Sequence, residues 1–232
     1  MKLEFFSTVD GVADAHPILP AREVIPKWVT KARAEYLSDK QKSNIFRCPG
    51  IMEVFMSGYI VPAWHDVKLE SGGEHLNAYV PNYELENLLG YPPISHQPGD
   101  TIAKHLPKRP WSHQDIFKVN TPWHVKSKVK FMMIPLPYTD SFEIESTIGI
   151  WDPAISSEIN IQLYVNVIGT FDIKAGTPLC QLIPMTEKTC ELIVRDMNVA
   201  DEKWIKRRKY LNNMNFVLNR SVIKNAYRAF IK

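Results

Sequence analysis

The sequence predicts a mainly β protein, an antiparallel β-barrel or sandwich with an N-terminal helix and a basic C-terminal helix. Residues 158–167, EINIQLYVNV, alternate apolar and polar side chains five times without a slip, which is the period of a strand with one buried face. No crossover helix separates the predicted strands between residues 117 and 185, so we expect antiparallel pairing. Helical spacing of apolar residues occurs near the two ends of the chain.

The composition is that of a globular protein with a full hydrophobic core. Of the 232 residues, 45% are hydrophobic and 23% are charged. No apolar run approaches the roughly 18–20 residues that span a bilayer, and the N-terminal apolar stretch is too short for a signal peptide. We therefore expect neither membrane association nor secretion. Cys48, Cys180 and Cys190 lack CxxC spacing, which favours reduced thiols over a disulfide or a metal site.

The charge distribution divides the chain into a β-rich domain, residues 1–197, and an appended basic amphipathic segment, residues 198–232. Residues 203–232 contain nine Lys or Arg and no Asp or Glu, which leaves 19 basic against 25 acidic residues, a net charge of −6, for residues 1–202. Asn198 is a candidate N-cap for a helix in the basic segment. An acidic body therefore carries a basic helix.

The first half of the chain predicts one helix, several strands and long loops. Pro26 suits the first turn of the N-terminal helix. Residues 44–70 are rich in β-branched and aromatic side chains and are broken at Pro49-Gly50 and Ser57-Gly58, which predicts strands separated by turns. Residues 71–112, rich in Gly, Pro, His and Asn, predict long loops with short strands, and such loops are often functional.

The second half predicts the main sheet. Residues 128–134 are strand-like, and two further short strands flank Gly176. The period of residues 158–167 assigns one set of side chains to the core: Ile159, Ile161, Leu163, Val165 and Val167.

Two groups of side chains are candidate sites. Trp123 and His124, at the start of a strand, would form one rim with Trp151 and Asp152, where aromatic faces and polar groups hold a base or sugar ring. The alternative is that both tryptophans pack in the core or at a subunit interface.

The second candidate is the segment KWIKRRKY at residues 203–210, where basic and aromatic residues interleave. Such a segment could contact nucleic-acid phosphates while an aromatic ring stacks on a base. The side chains concerned are Lys203, Trp204, Lys206, Arg207, Arg208 and Lys209. The alternatives are the solvated face of a docked helix, or a contact with the acidic body of a neighbouring subunit.

Residues 149–184, from GIWDP to CQLIP, resemble the central part of dUTPases and dCTP deaminases, in which a glycine-led turn with an aspartate enters a barrel strand and a closing hairpin. The resemblance implies a dUTPase-like core, a catalytic role for Asp152, a ligand-binding amide at Gln181 and, for nucleotide hydrolysis alone, a Mg²⁺ cofactor. The pattern differs at Ile155, where a sugar-stacking aromatic residue is usual. It also differs at Gln162, which replaces the deaminase glutamate and cannot act as a general base.

A second resemblance extends over residues 17–190. The segments IPKW, SGYIVPAWHDV, NTPWHVK, PLPY and IKAGTPLCQLIP occur in order and are similar to a family of proteins of tailed phages, notably phages of marine bacteria, with relatives in bacteria. This resemblance implies a location in the cytoplasm of an infected host cell or in the virion. It also implies partners that are further copies of the chain or other phage proteins.

Three functional hypotheses follow. The first is a non-catalytic phage protein that acts by binding or assembly, as a virion component or in host interaction; the missing catalytic groups and the charge asymmetry favour it. The second is a divergent nucleotide-acting hydrolase, a pyrophosphatase or deaminase that uses Asp152. The third is an accessory protein that binds nucleic acid through residues 203–210.

Overall fold

The computed structural model describes residues 1–39, 43–72, 75–82, 84–137, 139 and 142–218, with the backbone alone for His75 and residues 210–218. The strands are β1 Lys2–Ser7, β2 Leu19–Pro20, β3 Tyr59–Pro62, β4 Val67–Gly72, β5 His75–Tyr79, β6 Ile94–Gln97, β7 Ile116–Lys126, β8 Phe131–Ile134, β9 Ile144–Ser146, β10 Gly149–Trp151, β11 Glu158–Val165, β12 Gly169–Ile173, β13 Pro178–Pro184 and β14 Glu191–Asp196. The helices are α1 Val12–Ala15, α2 Lys27–Ser38, α3 Pro49–Met56, α4 Glu84–Leu89 and α5 Val199–Leu218, with 3₁₀ turns at Ala21–Glu23 and Ile45–Arg47.

The strands form three sheets, which confirms the mainly β class. The first sheet has the order β14-β1-β7-β11-β9, with β6 also paired to β7; the second is β10-β8-β13-β3-β2, and the third is β12-β4-β5. Pairing is antiparallel as predicted, except that β1 and β14 are parallel. None of these sheets closes into a barrel across the described residues. No helix in the same part of the chain is long and apolar enough to cross a membrane.

The predicted register of β11 is confirmed. Ile159, Ile161, Leu163 and Val165 are at most 1% exposed and lie in the core. Val167 comes after the strand, in the turn to β12, where it is half-buried. The alternation therefore ends two residues earlier than predicted, because the chain turns before it enters the third sheet.

Strand β7 is the centre of the first sheet and is buried on both faces. Along one edge it pairs with β11, and along the other it pairs with β6 and then with β1. Phe117, Val119, Trp123 and Val125 point into the core shared with the other sheets. His124 points to the opposite face, because successive side chains of a strand alternate. A row of paired residues crosses the sheet on that face: Arg195, Phe6, His124 and Glu158.

The structure has the helices that were predicted towards the two ends of the chain, and it has one further helix where strands were predicted. Helix α2 follows Pro26, and α5 begins at Val199 after the Asn198 cap. The rest of the predicted C-terminal segment, residues 219–232, lies outside the described residues. The segment Ile45–Met56, predicted as strand, is instead a 3₁₀ turn followed by α3. The Asn44 side chain accepts a hydrogen bond from the Phe46 amide (3.0 Å), and proline occupies the first turn of α3, so local capping favours the helix over the extended form. The predicted long loops of residues 71–112 are confirmed; they carry β5, α4 and β6.

Gly58 provides a stability test of the contact between the α3–β3 turn and β13. Its φ is +74°, and an added Cβ would lie 2.1 Å from the Leu182 carbonyl oxygen. We expect Gly58→Ala to lower the free energy of unfolding by about 3 kcal/mol or more, because strain and a backbone clash add together. Chemical denaturation measures the change.

Gly50 is the matched control for this substitution. It lies in α3, and an added Cβ would meet no atom within 4 Å. Gly50→Ala should leave stability unchanged or raise it by about 0.4–1 kcal/mol. Equal effects of the two substitutions would contradict the described approach of Gly58 to β13.

Candidate ligand-binding cleft

Asp152, the predicted catalytic carboxylate, hydrogen-bonds within its own turn. Its Oδ1 accepts a hydrogen bond from the Ala154 amide (2.8 Å), and its carbonyl accepts from the Ile155 amide (2.9 Å) and the Ser156 amide (3.1 Å). Its Oδ2 lies 3.4 Å from Lys130 Nζ. The carboxylate therefore shapes the turn that follows β10, as aspartate side chains commonly do.

The structure separates the other members of the predicted rim. Trp123 has no exposed surface and lies in the core. Trp151 packs on Phe131, with ring centroids 5.3 Å apart, and donates its indole N–H to the Ser156 carbonyl (2.8 Å). His124 lies on the far face of β7 from Trp123. Trp151 and Asp152 thus share one turn, while Trp123 and His124 face opposite sides of the first sheet.

His124 is buried beneath α5. Its ring stacks on Phe6 with centroids 5.5 Å apart, and its Nδ1 lies 3.1 Å from Ser157 Oγ. Burial, together with the positive charge of Lys209, lowers the pKa of His124 to about 4. The imidazole is therefore neutral at physiological pH.

Helix α5 begins with a capping box that also forms a buried ionic cluster. Asn198 Oδ1 accepts hydrogen bonds from the Ala200 and Asp201 amides, and the Asp201 carboxylate accepts from the Asn198 amide (2.8 Å). The same carboxylate, which has no exposed surface, accepts from Arg195 Nη1 (2.5 Å) and Lys126 Nζ. Burial would raise the pKa of Asp201, but these donors outweigh it and hold that pKa well below its usual range.

The predicted nucleic-acid segment divides into a docked face and an exposed face. Trp204 packs edge-on against Phe6, with centroids 5.8 Å apart. The Arg208 guanidinium lies 5.1 Å from the Trp204 ring centre and donates to the carbonyls of Pro153 and Ala154 in the Asp152 turn. Four cations of the same segment are exposed: Lys203, Lys206, Arg207 and Lys209.

Gln181 is buried under α3 on the second sheet. The residue is only 1% exposed, and its Nε2 donates to the carbonyls of Val54 (2.7 Å) and Ser57 (2.5 Å). The amide thus satisfies the last turn of α3, where helix carbonyls lack partners. The predicted ligand and catalytic roles of these residues stay predictions, and the structure gives each of them a contact within the fold.

A cleft of about 510 Å³ lies elsewhere, beside the edge strand β9. Its wall includes Ile144 from β9 and Leu179 from β13, so it opens where the first and second sheets meet. Two aromatic side chains at the wall are mostly in solvent: Trp111 is 64% exposed and Phe142 is 72% exposed. Pockets of this volume with apolar walls and few polar groups are typical of small-molecule sites.

The polar groups of the cleft form a connected and nearly neutral set. Arg109 donates from Nε and Nη2 to the two carboxylate oxygens of Glu145, each at 2.6 Å. Hydrogen bonding from Arg109 lowers the pKa of Glu145, so the pair is ionised and its charges cancel. Beside it, Ser112 Oγ donates to Asn166 Oδ1 (2.5 Å).

Ser146, on the cleft wall, has a buried hydroxyl. The residue is 2% exposed, and its Oγ has no hydrogen-bond partner among the described residues. An unsatisfied buried hydroxyl costs about 1–3 kcal/mol. In β9, Ser146 pairs with the core residue Leu163 and so points to the core, whereas Glu145 pairs with Tyr164 and points to the opposite face. The buried hydroxyl is therefore not presented to a ligand in the cleft.

The loop that supplies Arg109 and Trp111 is held against β11. Tyr164 donates its hydroxyl to the Pro107 carbonyl (2.9 Å), and the His113 amide donates to the Val165 carbonyl (2.8 Å). This part of the wall is thus preorganised. Both of its cleft residues belong to the loops of residues 71–112 that the sequence marked as functional, whereas Glu145, Ser146 and Asn166 carry no signal that singles them out.

Comparison with family models, curated proteins and solved structures finds no match for this chain. The described residues contain no group of three or more His, Cys, Asp or Glu side chains that could hold a metal ion.

Proposed function

We propose that this protein acts by binding rather than by catalysis, and that the cleft beside β9 is its binding site. The observation that carries the proposal is the combination in one cleft of two exposed aromatic side chains and a neutral ion pair. Trp111 and Phe142 lie outside the packed core. Exposed apolar side chains that line one cleft, rimmed by polar groups, are typical of a binding site.

The position of Asp152 supports binding over nucleotide hydrolysis. A hydrolase would need this carboxylate to orient water or a metal ion, and here it hydrogen-bonds to its own turn and pairs with Lys130. A triphosphate would also need free cations, since phosphate recognition depends on positive charge and backbone amides. The charge of Arg109, which lines the cleft, is already neutralised by a two-point contact with Glu145, made through Nε and Nη2.

The proposal includes a sandwich-like core of dUTPase-like ancestry and assembly with further copies or other phage proteins, in the virion or the infected cell. The two resemblances in the sequence support the ancestry and the location. Exposed apolar side chains around the edge strand β10 support assembly: Ile148 is 73% exposed, Ile150 is 65% exposed and Ile155 is 71% exposed. Edge strands with such side chains favour pairing with another chain.

Incubation with deoxynucleoside triphosphates and Mg²⁺ tests the absence of catalysis. We expect no release of pyrophosphate or ammonia from dUTP or dCTP above a blank without protein. The control is Asp152→Asn, which keeps the oxygen that accepts from Ala154 and so preserves the turn. Turnover by the unsubstituted protein that Asp152→Asn abolishes would overturn the proposal and restore the hydrolase hypothesis.

Nucleic-acid binding is a second candidate, favoured by the exposed cations of α5. Lys203 and Arg207 lie one helical turn apart on its solvent side, away from docked Trp204. If this face binds nucleic acid, retention on immobilised single-stranded DNA should fall steeply between 50 and 200 mM salt, on the order of tenfold or more. A double Lys203→Ala and Arg207→Ala variant should lose it.

The matched control for that experiment is a pair of exposed lysines on α2, Lys27 and Lys31. Their replacement by alanine removes the same charge from another helix. Equal loss in both double variants would show non-specific attraction, and no retention at 50 mM salt would exclude the second candidate.

A further inference from the structure

The cleft beside β9 points to one class of ligand, and the inference rests on the proposed binding function. We propose that it binds an uncharged ring rich in hydroxyl groups, that is, a sugar unit, free or at the end of a longer glycan. The proposal follows from the charge of the cleft, the order of its donors and acceptors, and its aromatic rim.

The charge of the cleft selects a neutral ligand. Arg109 and Glu145 are joined by two hydrogen bonds of 2.6 Å, so neither leaves an uncompensated charge. A phosphate or carboxylate would have to break this pair to reach the guanidinium. An uncharged ligand can contact the pair from the open side and leave it intact, since Arg109 is half exposed at its side chain.

The order of donors and acceptors suits neighbouring hydroxyl groups. Each Glu145 oxygen accepts one hydrogen bond from Arg109 and retains further acceptor capacity, while the guanidinium has donors not used by Glu145. A hydroxyl both donates and accepts. Two adjacent hydroxyls can therefore donate to the carboxylate and accept from the guanidinium at once. A nucleobase edge, with fixed donors and acceptors, lacks this freedom.

The aromatic rim completes the match. Trp111 and Phe142 offer flat apolar surfaces at the cleft mouth, on which the C–H faces of a sugar ring can pack. Sites built to bind a ligand hydroxyl reject analogues that lack it.

The test combines two panels with the full-length protein. Isothermal titration with a monosaccharide set, together with binding to an immobilised oligosaccharide array, probes free sugars and glycan ends. A nucleoside set at the same concentrations is the comparison panel. We expect binding in the sugar panel, and the array shows whether a single ring suffices or a longer glycan is required.

Two substitutions connect binding to the cleft. Trp111→Ala should weaken sugar binding at least tenfold. The control is Ile102→Ala, because Ile102 is about as exposed as Trp111 and lies on the same loop but outside the cleft wall. This substitution should leave sugar binding unchanged.

The outcomes separate the two levels of the proposal. Binding of nucleosides but not sugars, lost in Trp111→Ala, overturns the sugar inference and keeps the binding function. Sugar binding that Trp111→Ala leaves unchanged places the ligand elsewhere and overturns the cleft for both. If the protein binds neither panel at millimolar concentration, the sugar inference is overturned. Binding of another class of ligand that is lost in Trp111→Ala would still support the proposed function.

Discussion

The buried carboxylate of Asp201 is the interaction on which the outer face of the first sheet depends. A buried charge is costly unless it is paired and fully hydrogen-bonded. Here Arg195 from β14, Lys126 from β7 and the backbone amide of Asn198, the N-cap of α5, all donate to it, and Arg195 also pairs with Glu4 from β1. One carboxylate thereby joins three strands and the C-terminal helix, and each group that satisfies it is positioned by the others.

The position of α5 explains why several reactive-looking side chains have structural contacts. Once Asp201 anchors the helix, Trp204 lies on Phe6 and the helix covers His124. One turn further, Arg208 reaches the carbonyls of the turn that Asp152 shapes. The basic helix and the Asp152 turn are therefore parts of one packed unit. The cleft beside β9 is formed by other elements, at the edge of the first sheet.

Local signals predicted much of the fold, and non-local contacts account for most of what they missed. The period of β11 and the Asn198 cap are properties of short segments, and both predictions were confirmed. The parallel pairing of β1 with β14 joins residues near opposite ends of the chain; its Glu4–Arg195 contact spans 191 positions. The helical segment Ile45–Met56 was mistaken for strand because its apolar residues serve equally well on a helix packed over a sheet.

The same distinction applies to the candidate site. Composition marked the loops of residues 71–112, which include Arg109 and Trp111. The partner of Arg109, Glu145, is 36 positions further along the chain and belongs to no motif. Its neighbour Ser146 faces the core instead, because adjacent residues of β9 point to opposite sides. In contrast, Trp123 and His124 look like a site in the sequence because they are adjacent, and adjacency in a strand places them on opposite faces.

The most direct measurement of this packing is an NMR titration of the His124 imidazole in the folded protein. Because α5 keeps the ring from water, we expect it to take up a proton only near pH 4, whereas an unfolded chain does so near 6.5. The stability that neutral His124 contributes should then be complete above about pH 6.5 and be lost as the pH falls towards 4. A midpoint near 6.5 in the folded protein would contradict the docking of α5 over the first sheet.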